Sequence, residues 1–144
     1  MSPAKRTWAA VPAANAAMPP AGHYSSAVRA GQHLYVAGMT PRDPATGDFG
    51  PADVRVQARR CLGNLRIVLE ASGASLGDVV QVLVHRRPVG DRDAFEAVWS
   101  EFFEAPYPAR TIVGAELRGT MLVEVSATAY LGDGRSFDPR MTLV

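Results

Sequence analysis

Between residues 54 and 72, apolar side chains recur at helical spacing. Val54, Ala58, Cys61, Leu62, Leu65, Val68 and Leu69 share one face, and Arg55, Arg59, Arg66 and Glu70 fall on others. That period predicts an amphipathic helix with a single buried stripe. Asp53 stands where an N-cap belongs and Gly73 where a left-handed residue closes the C-terminus. A second stripe, Phe95, Val98, Trp99, Phe102 and Phe103, follows Asp91 as its candidate cap and stops at Pro106 and Pro108.

Elsewhere the pattern changes to runs rich in β-branched and aromatic residues. HLYVAGM (33–39), VVQVLVH (79–85), the run around ARTIVG within 107–117, and MLVEVSATAYL (121–131) read as strands. YSSAVRAG precedes the first as a hairpin partner, with the turn near Gly31, and TPRDPATGDFGP (40–51) is turn chemistry throughout. The order is strands, helix, strand, helix, two strands. It predicts an α+β domain with both helices on one face of a sheet. No helix remains for the other face, and an uncovered apolar sheet face predicts self-association. Residues 1–21 are rich in Ala and Pro and have no period. They are expected to form an extended or partly mobile arm packing through Trp8, with residues 22–144 as a single domain. The tail GDGRSFDPRMTLV is expected to be irregular.

A length of 144 residues suits one domain with a real core. The net charge of +1 provides no strong field toward nucleic acid or anionic lipid. A lone cysteine, Cys61, excludes an internal disulfide framework and a cysteine-built zinc site. Neither an apolar run of membrane length nor a secretory leader pattern is present in these residues, so the expected location is cytoplasmic.

Two charges interrupt the last two strands, Arg110 and Glu124. A guanidinium in such a segment must reach water, pair with an acid, or receive an anionic ligand. One reading is structural, an ion pair or two strand-end side chains. The other is a small-carboxylate pocket, in which Arg110 presents a planar fork and Glu124 holds or activates water. Pattern alone leaves both open.

Five segments in register resemble the RidA/YjgF family of imine deaminases, formerly grouped as L-PSP endoribonucleases. They are GHYSSAVRAGQHLYVAGMTPRDPATGDF, ADVRVQARRCLGNLRIVLEASGASLGDVVQVLV, DAFEAVWSEFF, YPARTIV and LVEVSATAY, running from Gly22 to about Leu131. The resemblance implies a chorismate-mutase-like fold, a mixed sheet with two helices on one face, assembled as a homotrimer with sites between subunits. It implies hydrolysis of enamine and imine intermediates of the 2-aminoacrylate/2-iminopropionate type to a 2-keto acid and ammonia, with no cofactor or metal. By the same resemblance Arg110 binds the substrate carboxylate with help from the backbone N–H of Ile112. Glu124 directs water, and Tyr24 and Gly38 line the pocket, with His23 beside them. His23, Ser26, Ala37, Met39-Thr40 and Thr111-Ile112 depart from the family's usual residues. They alter the pocket walls and leave the arginine and glutamate in place.

Other features have plainer explanations. Cys61 lies on the helical stripe as a core residue. His23, His33 and His85 share no metal-ligand spacing. Ser25 and Ser26 lack a nucleophile elbow. Arg55, Arg59, Arg60 and Arg66 raise an RNA-binding alternative, weakened by the near-neutral charge and the absence of interleaved aromatics. The expectation is a 2-imino acid deaminase. The alternatives are a pathway-specific deaminase (of aminoacrylate or 2-aminomuconate) and a non-catalytic protein that binds small carboxylates or RNA.

Overall fold

A computed structural model describes residues 5–88 and 92–132. In chain order it contains β1 (Ala9–Ala10), α1 (Pro12–Ala17), β2 (Ala27–Ala30), β3 (His33–Met39) and α2 (Val54–Ala71). A short 3₁₀ turn (Leu76–Asp78), β4 (Val79–Arg86), α3 (Arg92–Phe102), β5 (Ala109–Gly114) and β6 (Val123–Tyr130) follow. The candidate cap Asp91 and most of the tail, from residue 133, lie outside the described residues.

The six strands form one sheet in the order β1-β2-β3-β6-β4-β5. Only β4 and β5 run parallel, because α3 carries the chain back over the sheet between them. The last strand, β6, inserts between β3 and β4 and pairs antiparallel with both. The expected α+β architecture with a mixed sheet is therefore present.

α2 forms where the stripe predicts. Asp53 Oδ1 accepts the Val56 N–H at 3.0 Å, and Gly73, at φ +78°, follows the helix end. Ala58, Cys61, Leu62, Leu65, Val68 and Leu69 are fully buried in one core with Val82 and Val84 of β4 and Val123, Val125 and Ala129 of β6. α3 adds Phe95, Val98 and Trp99 to that core. Both helices thus cover one face. Gln57 is buried at the joint, where its amide nitrogen donates to the carbonyls of Pro51 (3.0 Å) and Thr120 (2.9 Å). Its amide oxygen accepts the Leu122 N–H at 2.7 Å, so α2 is tied to the segment leading into β6.

The first 21 residues differ from expectation. Ala9 and Ala10 pair with Arg29 and Val28, extending the sheet, and Pro12 opens α1. Val11, Ala14 and Met18 are buried in the main core, so the hydrophobic body begins before Gly22. Trp8, expected as the anchor, is 45% exposed, with the Arg6 guanidinium 5.5 Å from its ring centroid. The reason is size: AANAA has no large side chain to mark a period, yet small residues let a short helix lie close against its neighbours.

On the opposite face, cross-strand pairing aligns Tyr35 with Thr128, His33 with Tyr130, and His85 with both Glu124 and Val113. Tyr35, Val113 and Tyr130 are exposed there, and no described element covers them. Among the described residues no helix is long and apolar enough to cross a membrane.

Candidate active site

Arg110 lies on β5, the edge strand, opposite Val82 of β4. Val82 is buried under the helices, and opposed residues share a face, so Arg110 projects to the helix side. Its guanidinium carbon is 4.7 Å from the Trp99 ring centroid and 5.9 Å from that of Phe95, both on α3. Nη2 is 2.8 Å from Glu96 Oε1, with side-chain exposures of 23% for the arginine and 40% for the glutamate. The guanidinium thus has an internal counter-ion in the isolated chain. It also opens onto a cleft of ≈ 440 Å³ lined with Glu96, Trp99, Ser100, Tyr107 and Pro108. Of the three fates open to a strand arginine, it takes the second while remaining placed for the third.

Glu124 lies on the other face. On β6 it alternates with buried Val123 and Val125 and sits opposite His85. Its carboxylate rests over the backbone of Gly38 on β3, where a Cβ would fall 2.1 Å from Oε1. A side chain there would have to displace the carboxylate, and the register of β3 against β6 shifts over the same stretch, between Val36 and Met39. Glu124 and Gly38 line a cleft of ≈ 500 Å³ together with Tyr24, Thr40 and Arg118. The Tyr24 hydroxyl accepts the Ala21 N–H at 3.1 Å while the residue is 49% exposed.

Of the residues singled out from sequence, the fold brings together Tyr24, Gly38 and Glu124. It places Arg110 and Ile112 on the edge strand, with β4 separating β5 from β6. An ion pair between Arg110 and Glu124, one of the two open readings, is replaced by the pair with Glu96. His23 is an exposed neighbour of Tyr24. Ser26 is buried; its N–H donates to Asn15 Oδ1 at 2.8 Å and its hydroxyl to the Met18 carbonyl, a structural role. Cys61 is buried with its thiol 3.4 Å from the Val123 carbonyl oxygen. Burial, with a smaller contribution from the Glu124 charge, pushes the thiol well above its ordinary value. Among the described residues no group of three His, Cys, Asp or Glu could hold a metal ion.

Of the four arginines of α2, Arg59, Arg60 and Arg66 have partners within the chain. Arg59 meets Glu101 of α3 at 3.0 Å, Arg66 lies 5.3 Å from the Phe102 ring centroid, and Arg60 donates to the Asp48 carbonyl at 3.3 Å. They join elements and do not form an unpartnered basic face. Sequence reading missed Glu96 and Arg118, and weighed His85, which lies opposite Glu124, only as a metal ligand. Glu96 shares a helical surface with Trp99 and Ser100, three and four positions on, but nothing in that spacing points to Arg110, fourteen residues away.

The profile of the Endoribonuclease L-PSP family matches residues 14–131. A RutC family protein of Pyrococcus horikoshii is 39% identical over 112 residues, 77% of this chain and 89% of that protein. A 2-iminobutanoate/2-iminopropanoate deaminase of Dermatophagoides farinae is 38% identical over 78% of this chain and 88% of its own length. This chain belongs to the RidA/YjgF family. The crystal structure of RidA from the Antarctic bacterium Psychrobacter sp. superposes with a TM-score of 0.74 at 31% identity, over 79% of this chain and 93% of that one. The RidA profile begins inside α1, in keeping with the burial of that helix in the core.

Proposed function

We propose that the protein hydrolyses 2-imino acids of the 2-iminopropionate type, and their 2-aminoacrylate tautomers, to 2-keto acids and ammonia. The observation that carries this reading is the arrangement of its two strand charges. A guanidinium backed by Trp99 faces one cleft, and a glutamate seated on Gly38 faces another. The deaminase name of a 38% identical relative supports the same chemistry.

Arg110 takes the carboxylate through its terminal nitrogens, a charge-assisted contact that orients the C=N carbon. Glu124 accepts a proton as water adds to that carbon, giving a carbinolamine. The hydroxyl oxygen then forms the C=O bond as the C–N bond breaks. The C–N electron pair leaves with nitrogen, which takes the proton held by Glu124 and departs as ammonia, and the hydroxyl proton passes to the freed carboxylate. The imine carbon is already electrophilic, so orientation and a proton acceptor address most of the barrier. Held geometry contributes up to about 7–11 kcal/mol, and a positioned base about 10²–10⁴-fold.

Arg110 and Glu124 project from opposite faces of one sheet, so one chain does not present both to one small molecule. The reading therefore includes an inter-subunit site, with Arg110 and Ile112 from one copy and Tyr24, Gly38 and Glu124 from the next. His23 stands at the rim. The uncovered face carrying Tyr35, Val113 and Tyr130 supports self-association, and a homotrimer is the proposed assembly. Release of keto acid from 2-aminoacrylate generated in situ tests the reading. Arg110→Ala is expected to lose about 10–100-fold in kcat/KM, the value of a charged hydrogen bond. Equal rates for parent and variant remove the mechanism.

A further inference from the structure

We propose that Glu96 makes the Arg110 cleft selective for zwitterions, meaning carboxylates whose neighbouring carbon bears a protonated nitrogen, over bare carboxylates. The inference rests on the deaminase reading and deepens it.

Glu96 Oε1 lies 2.8 Å from Arg110 Nη2, yet this buried oxygen accepts no hydrogen bond. The contact is one of charge, with the donor direction unmet. A ligand carboxylate that takes the guanidinium must share Glu96's nearest cation. A bare keto acid then leaves two carboxylates on one guanidinium, which costs affinity. A zwitterion leaves every charge partnered: its carboxylate meets Arg110, and its N–H cation meets the Glu96 carboxylate, whose side chain is 40% exposed beyond the buried Oε1. The two ligand groups sit on adjacent carbons, so a nitrogen beside a carboxylate on Arg110 falls near the acid already touching that arginine. Tyr107, exposed in the same cleft, adds aromatic surface beside the site.

In the reaction, the protonated 2-imino acid is such a zwitterion and the 2-keto acid is a bare anion. Glu96 therefore favours the protonated, more electrophilic substrate and disfavours retention of the product. It is a specificity residue, distinct from the group that directs water.

Calorimetry with 2-aminobutyrate and 2-ketobutyrate, which differ only at that position, tests the proposal on the full chain, Glu96→Gln, Glu96→Asp and Arg110→Ala. The parent is expected to prefer the amino acid. In Glu96→Gln the keto acid binds about tenfold tighter and the amino acid about tenfold weaker, an effect of the size expected for one close charge. Glu96→Asp keeps the parental preference, and Arg110→Ala binds neither. A structural lesion would weaken both ligands together. That result, unchanged affinities in Glu96→Gln, or binding of neither ligand to the parent overturns the proposal. If Arg110→Ala releases keto acid as fast as the parent, the deaminase reading itself fails. Intact parental activity with no ligand reversal in Glu96→Gln sinks only the role of Glu96.

Discussion

Gly38 and Glu124 are in contact across β3 and β6: a Cβ on residue 38 would lie 2.1 Å from the glutamate's Oε1 and 2.9 Å from its Cδ. The backbone at Gly38 is outside the left-handed region, so what glycine supplies there is room for the carboxylate and not a special conformation. Gly38→Ala must push the carboxylate away. The expected outcome is a folded protein about 1–3 kcal/mol less stable in urea, with kcat lowered at least about tenfold. A variant with parental kcat would show that the glutamate's seat is immaterial.

If each site draws Arg110 from one copy and Glu124 from another, two impaired variants complement each other. Arg110→Ala and Glu124→Gln, unfolded together and refolded as a mixture, are expected to recover about a quarter of parental activity, the share of random pairings that join two intact groups. Each variant refolded alone keeps only its own low activity, about a tenth of the parent's or less. A mixture no better than its components, under conditions where the parent refolds, argues against a shared site.

Gln57 joins three backbone groups, the carbonyls of Pro51 and Thr120 and the N–H of Leu122, and so ties α2 to the segments on either side of it. Gln57→Ala strands two carbonyls and one N–H and leaves a cavity at a buried position. A loss of about 2–4 kcal/mol is expected from denaturant midpoints, near the upper range for one polar residue. A loss below about 1 kcal/mol would mean water replaces the amide without penalty.

The Cys61 thiol is raised in the folded state by burial, and further by Glu124, above the ordinary cysteine value of 9.0. A raised pKa means the folded protein keeps its proton after the unfolded chain has lost it. The thiol's contribution is therefore constant below about pH 9 and declines as pH rises further toward the folded value. Comparing urea midpoints at neutral and alkaline pH should show a decline that Cys61→Ala reduces. A thiol reagent should label the native protein far more slowly than the unfolded chain; equal labelling would show the sulfur is accessible.

Local patterns were the legible part of the fold. α2 and its Asp53 cap, the β2–β3 hairpin with Gly31 at φ +58°, and β4 all follow from periods and turn residues spanning a few positions. α1 escaped because alanines mark no face, and its place in the core depends on α2, forty residues later. The family resemblance named Arg110, Glu124, Tyr24 and Gly38. It did not show that β4 would stand between β5 and β6, or that Glu96 would occupy the arginine in the isolated chain.

Side-chain period and capping chemistry act over a turn or two, so the residues alone specify which segments are helix and strand and which charges interrupt them. Which face each charge reaches depends on strand order and on the crossover through α3. Those are settled only when distant apolar stripes find a common core. Hence Arg110 and Glu124 could be named from the chain, while their separation by the sheet, and the acid waiting beside the arginine, emerged only from its packing.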